Sequence, residues 1–195
     1  MTELLQPAPT GRAKCRACGR AIAKGELRLG ERAPNPFGEG DATFWFHLRC
    51  GACKRPEAAR AALAQTPGAD ADGTLAALVE RGLAHPRLTR IQRIERSPSA
   101  RARCRHCHET IDRELWRLAL DWWEEGRYSA SGFVHLGCAR AWAGALDDVV
   151  TRVEQWMGAL DPDARAALEQ AAADTSPLPA RDAGEDDAPP QTDDG

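Results

Sequence analysis

Two thiols in Cys-x-x-Cys spacing, Cys15 and Cys18, are followed downstream by His47, Cys50 and Cys53 at three-residue intervals. Thiolate sulfur and neutral imidazole nitrogen are the donors that Zn²⁺ prefers, and these spacings let adjacent donors close on one ion. Five donors for four positions leave His47 and Cys53 competing as the partner of Cys50. A repeat within the chain bears on that choice. Shifted by 89 residues, Arg12-Ala13-Lys14-Cys15-Arg16-Ala17-Cys18 lies over Arg101-Ala102-Arg103-Cys104-Arg105-His106-Cys107. With one residue deleted, Phe46-His47-Leu48-Arg49-Cys50 lies over Val134-His135-Leu136-Gly137-Cys138, and Cys53 falls on Ala141. The shared set is Cys, Cys, His, Cys. It assigns Cys15, Cys18, His47 and Cys50 to one Zn²⁺ and Cys104, Cys107, His135 and Cys138 to a second. Three thiolates and an imidazole fill a closed structural site and leave no position for a catalytic water. Cys53 is expected to be unligated, with replacement of His47 as the alternative, because Cys50-x-x-Cys53 is also knuckle spacing. His106 and His108 flank the second knuckle where the first copy has Ala17 and Gly19, so they read as exposed side chains rather than ligands.

The elements that must hold these quartets are small. Hydrophobic residues make up 43% of the chain, much of it alanine, which leaves little volume for a core and calls for a staple. The expected fold is α+β: two small zinc-stabilised units, each a knuckle, a strand, a variable loop and a second strand leading into the His-x-x-Cys pair and a helix. Leu27-Arg28-Leu29 and Trp116-Arg117-Leu118 alternate as strands do, Thr43-Phe44-Trp45-Phe46 is strand-prone, and residues 34–40 form a Gly/Pro-rich loop. Ligation at about 10–16 kcal/mol per site exceeds what such cores supply, so zinc loading and folding should be one event.

Six of the seven cysteines sit in metal-ligand pairs rather than a disulfide ladder, which indicates a reducing, intracellular compartment. The N-terminus lacks a basic start followed by an apolar run, and no stretch reaches membrane-spanning length, so a soluble, non-exported protein is expected. The net charge of −3 hides an asymmetry: residues 11–55 carry ten Lys/Arg against four Asp/Glu, and residues 146–195 carry three against thirteen. Alanine- and arginine-rich usage hints at a GC-rich genome, placing the protein at a nucleoid if bacterial and in a nucleus if eukaryotic.

Gly11-Arg12-Ala13-x-Cys15-x-x-Cys18, followed by Ile22, Lys24, Leu27-Arg28 and Trp45-Phe46-His47-x-x-Cys50, resembles the poly(ADP-ribose) polymerase-type zinc finger, and the second unit looks like another copy. The gap from second cysteine to histidine, 28 residues in the first unit and 27 in the second, far exceeds that of fingers that lay a helix in the major groove. The resemblance implies recognition of DNA breaks by structure rather than sequence, with the phosphate-contacting arginines at Arg12 and Arg28 and at Arg101 and Arg117. The residues argue the same way for the first unit. Arg12, Lys14, Arg16, Arg20, Lys24 and Arg28 crowd one knuckle and strand, where they would displace counterions from a phosphate backbone without reading bases. Phe37 in the adjoining loop could cap an exposed base pair. The second unit is nearly balanced, seven Lys/Arg against six Asp/Glu over residues 97–142, and its loop carries Glu124-Glu125, so DNA binding is expected less of it and contact with protein is the alternative there.

The expected division is a flexible start (1–10), unit one (11–55), a helical linker (56–96), unit two (97–144), C-terminal helices (145–173) and a disordered acidic tail (174–195). Arg87, Arg90, Arg93 and Arg96 recur every third residue and read as an exposed helix edge. Trp142, Leu146, Val149, Val150, Val153, Met157 and Leu160 make an apolar stripe at helical spacing, packed on its own domain or offered to a protein partner through a helix over 142–160. Asp161-Pro162 caps a last helix. No glycine-rich phosphate loop, nucleophile–base pair or carboxylate cluster for magnesium is evident, and the length leaves no room for a transferase domain. A non-enzymatic DNA-end reader is expected, the alternatives being a zinc-stabilised protein-interaction adaptor and a thiol sensor using Cys53.

Overall fold

The computed structural model describes residues 4–35 and 38–174. Two three-stranded antiparallel sheets, each followed by helices, make an α+β fold. In the first, strand β1 (Leu4–Pro7) pairs with β2 (Leu27–Pro34), which pairs with β3 (Asp41–His47). Alternation puts Leu29 and Phe46 directly opposite each other on the buried face, and both are fully buried. The chain then turns into α1 (Leu48–Lys54), α2 (Pro56–Ala64) and α3 (Thr74–Ala84).

The second sheet consists of β4 (Ile91–Arg96), β5 (Trp116–Glu124) and β6 (Arg127–His135), followed by α4 (Ala139–Ala143), α5 (Val149–Met157) and α6 (Pro162–Ala173). Asp161 caps α6, its carboxylate accepting from the amides of Asp163 and Ala164.

Four expectations need correction. Leu4–Pro7, inside the stretch expected to be flexible, is an edge strand, because Leu5 lies opposite Leu29 and shares its apolar face. Residues 91–96, assigned to a helical linker, form β4 instead. The arginines at every third residue run from a 3-10 turn, Pro86–Arg90, into that strand, whose Ile91 and Ile94 are buried. The stripe over 142–160 is not one helix: Gly144 takes a left-handed φ of 80° that ends α4. Four of its apolar side chains, Trp142, Leu146, Val149 and Val153, are buried in the chain's own core, while Met157 is exposed. Residues 1–3, Phe37 and the tail beyond Asp174 lie outside the described residues.

The two units pack against each other. In β5–β6, Glu125 and Gly126 take φ of 48° and 77°, as a two-residue type I′ turn requires. That hairpin reaches the first sheet, where the Trp123 ring meets Phe44 and Phe46 edge-on at centroid distances of 5.7 and 5.5 Å. A Cβ on Gly126 would stand 2.0 Å from Phe44 Cζ, so glycine is required by both its φ and its close approach. Beneath the hairpin, Lys54 of α1 donates to Asp121 of β5 at 2.8 and 3.0 Å and to the Ile91 carbonyl, and both side chains are buried. Arg152 of α5, also buried, donates to the carbonyls of Cys53 and Leu78 and to the Asp148 carboxylate. Every nitrogen of that cation finds an acceptor, which is what makes its burial tolerable.

Candidate metal centres and nucleic-acid interface

Each quartet is assembled the same way. The knuckle presents two sulfurs, and the last strand ends in the histidine, whose helical sequel brings the third sulfur back one turn later. The donor atoms of Cys15, Cys18, His47 and Cys50 lie within 4.8 Å of one another, and so do those of Cys104, Cys107, His135 and Cys138. His47 Nδ1 is 3.3 Å from Cys18 Sγ and 3.9 Å from Cys50 Sγ, and His135 Nδ1 repeats these distances to Cys107 and Cys138. Bonds of about 2.0–2.3 Å to a tetrahedral Zn²⁺ separate the donors by roughly 3.3–3.8 Å. The sites therefore fit zinc, and both Cys₃His sets could hold it.

The groups around the ligands favour that use. His47 Nε2 faces the Ala21 carbonyl at 3.1 Å and His135 Nε2 the Thr110 carbonyl at 3.2 Å. A carbonyl only accepts, so Nε2 carries the proton and Nδ1 is left with its lone pair toward the sulfurs. The backbone amides of His47 and His135 donate to Cys15 and Cys104 sulfur. A hydrogen bond from Cys50 lowers Cys15 to about 5, against the effect of burial, and one from Cys138 lowers Cys104 to about 4. The same bonds, with burial, push Cys50 and Cys138 up. Two sulfurs sharing one proton exchange it readily for a divalent cation.

The sites differ in cover. Cys50 is fully buried and Cys138 half-buried. Helix α5 accounts for this: Gln155 Nε2 points at Cys50 Sγ from 3.5 Å, and Arg20 donates to the Gln155 carbonyl. Cys18 raises the Arg20 guanidinium, chiefly through a hydrogen bond to its sulfur. Cys53 stands apart from the quartet in the core, and burial pushes its thiol up. A thiol so covered and so reluctant to ionise is poorly suited to sensing oxidants.

The residues expected to meet phosphate divide into three groups. Arg12, Lys14, Arg16 and Lys24 are exposed around the first knuckle, with Arg16 4.9 Å from the Phe44 ring centroid, and Arg101 is exposed on the second. Arg28 and Arg117 are covered, each 6% exposed, and each lies on an aromatic ring of the next strand: Arg28 on Trp45 at 3.5 Å and Arg117 on Phe133 at 3.6 Å. Room for the larger indole comes from Gly30, directly opposite Trp45, where a Cβ would stand 2.7 Å from Cζ3. Phe37 lies outside the described residues.

A residue that sequence reasoning passed over separates the two covered arginines. On the outer strand, Gln6 is the register partner of Arg28 and Glu95 that of Arg117. Glu95 accepts from Arg117 at 2.6 and 3.0 Å, and Ser97 accepts a further bond at 3.2 Å. Burial pushes the Glu95 carboxyl up, but Arg117 and Arg93 outweigh it and hold the group below the usual glutamate range. Arg28 has no carboxylate partner among the described residues, and burial alone lowers it. The signal lay in the sequence: the 89-residue shift that aligns the knuckles also lays Leu5-Gln6 over Ile94-Glu95.

Fold and site together describe an α+β zinc-binding protein with two Cys₃His centres. Residues 6–74 match the family described as "Poly(ADP-ribose) polymerase and DNA-Ligase Zn-finger region", whose members bind DNA. A 43-residue stretch, 22% of the chain, is 42% identical to poly [ADP-ribose] polymerase 1 of Gallus gallus and spans 4% of that relative's length. The second quartet lies outside the matched residues. Among the described residues no helix is long and apolar enough to cross a membrane.

Proposed function

We propose that this chain is a non-enzymatic DNA-binding protein that recognises strand breaks, nicks or ends by structure rather than sequence, with the first unit as the principal contact. The observation that carries this reading is that the family match falls on the unit whose cations remain available. Arg12, Lys14, Arg16 and Lys24 are exposed and make no ion pair among the described residues. Those four, with Arg28 against Trp45, would hold phosphates, and Phe37 in the 35–40 loop would stack on an exposed base pair. Zinc serves here as a structural ion that fixes the knuckle and strand carrying these side chains. Such a protein works where the genome is, nucleoid or nucleus.

The test is fluorescence anisotropy on a nicked hairpin, a blunt duplex and a covalently closed circle, each at two salt concentrations. Preference for the broken substrates is expected, with a log–log salt slope that falls by about 0.9 for each phosphate contact removed, as in Lys14→Ala. Equal affinity for all three would sink break recognition and leave general DNA binding. No binding even at low salt would overturn the reading in favour of a zinc-stabilised adaptor for proteins.

A further inference from the structure

Between the units lies a cavity of about 620 Å³. It is lined by the start of α2, the Pro86–Arg90 turn, the root of the β5–β6 hairpin and the end of α4. That volume suits a nucleotide-sized ligand, and the setting at a seam between two packed units is where such sites tend to form. None of the residues expected to hold zinc or phosphate lines it.

Its walls combine aromatic faces with cations. Trp122 and Trp142 both line it, with the Arg90 guanidinium 4.8 Å from one ring centroid and 5.6 Å from the other. Arg87 lies 5.8 Å from the Trp142 ring centroid and donates to that residue's carbonyl. Four cationic side chains, those two with Lys54 and Arg55, share the lining with the carboxylates Asp121 and Glu57; Lys54 is paired with Asp121, and Arg55 with Glu31. Indole faces accept a planar ring, and guanidinium groups pair with phosphate oxygens better than with any neutral group.

We propose that this cavity binds a nucleoside 5′-monophosphate, its base stacked on Trp122 and its phosphate directed to Arg87. The source is either a free nucleotide or the unpaired terminal nucleotide of a DNA strand, and the chemistry of recognition is the same for both. This assignment stands independently of break recognition by the first unit.

Titration of the zinc-loaded full chain with adenosine 5′-monophosphate, followed by tryptophan fluorescence and calorimetry, tests the first source. Saturable binding is expected, weakened at least about tenfold by Arg87→Ala, which corresponds to one charge-assisted hydrogen bond. Adenosine and inorganic phosphate, each lacking half of the ligand, should bind more weakly. Phosphate binding as tightly as the nucleotide would overturn the stacking assignment. Anisotropy on a duplex with a one-nucleotide 5′-phosphorylated overhang, against the same duplex blunt, tests the second source. Preference for the overhang that disappears in Arg87→Ala supports capture from DNA. Absence of saturation by nucleotide up to about 10 mM, together with absence of any preference for the overhang, would overturn the proposal, because that range covers even millimolar affinity. Blunt-duplex affinity is read separately, so failure of the first unit to bind DNA is not confused with failure of the cavity. Trp122→Leu is the second variant, and far-UV circular dichroism checks that each one folds.

Discussion

The two zinc units share a ligand set, a sheet order and an arginine laid on an aromatic ring, yet their surroundings are arranged differently. In the first, the strand connection at residues 35–40 is long, and the arginine faces a glutamine. In the second, the connection is a two-residue turn whose hairpin is buried against the first unit, and the arginine is neutralised by Glu95. The lesson is that a zinc quartet fixes a scaffold and says little about its use. What the scaffold can touch depends on the loop between two strands and on one residue of an edge strand.

The comparison can be broken from several sides. Chelation of both zinc ions should have the largest effect, removing about 10–16 kcal/mol per site and unfolding the chain, as followed by circular dichroism. Cys50→Ala should leave one zinc per chain by native mass spectrometry, and Cys138→Ala likewise. Retention of two ions by either variant would contradict the ligand sets.

Next in size is the buried pair that joins the units. Asp121→Asn leaves Lys54 buried without its counter-charge, and stability should fall by about 3–5 kcal/mol in urea melts. Combining Lys54→Met with Asp121→Leu should recover most of that loss, since an apolar pair of similar volume avoids the desolvation cost.

Gly126→Ala should cost about 1–3 kcal/mol, because the added methyl meets Phe44 and the left-handed φ strains any residue with a Cβ. If the hairpin is the main contact between the units, proteolysis of the native protein should accelerate at their junction in this variant. An unchanged digestion pattern would show that Lys54 and Arg152 hold the units together without it.

The smallest and sharpest test exchanges the two edge-strand residues. Gln6→Glu should pair Arg28 and weaken binding to nicked DNA about tenfold, the equivalent of about 1.4 kcal/mol. Glu95→Gln should release Arg117 and strengthen binding by a smaller factor, read as a steeper salt slope. If Gln6→Glu leaves affinity unchanged, Arg28 does not meet phosphate.

Much of this arrangement was legible because it repeats. Both quartets follow from donor type and spacing, and the first-unit residues that carry the family resemblance lie within the stretch that the family matches. The strands β2 and β3 and the start of β5 show period-two alternation or aromatic runs, whereas Trp122 to Tyr128, read as the variable loop of the second unit, finishes β5 and begins β6 around a two-residue turn. The outer strands were missed for physical reasons. Leu4–Pro7 is four residues ending in proline, too short to alternate convincingly, and Ile91–Arg96 interleaves its two isoleucines with charges at a spacing that also suits a helix. Packing between the units left no local pattern at all, since Trp123, Lys54 and Arg152 gain their meaning only from partners far away in the chain. Glu124 and Glu125, whose charge suggests a protein partner for the second unit, sit at the tip of a hairpin whose Trp123 packs on the first unit of the same chain.

The buried guanidinium of Arg152 carries one more consequence. Its acceptor at Cys53 lies 99 residues upstream, so the amino-terminal half cannot finish closing until most of the polypeptide has left the ribosome. Cutting the gene between the repeats would not yield two self-sufficient fragments; the leading piece would emerge with an open flank where α5 belongs. The helix that returns from the second repeat supplies the acceptor-seeking cation that closes the first.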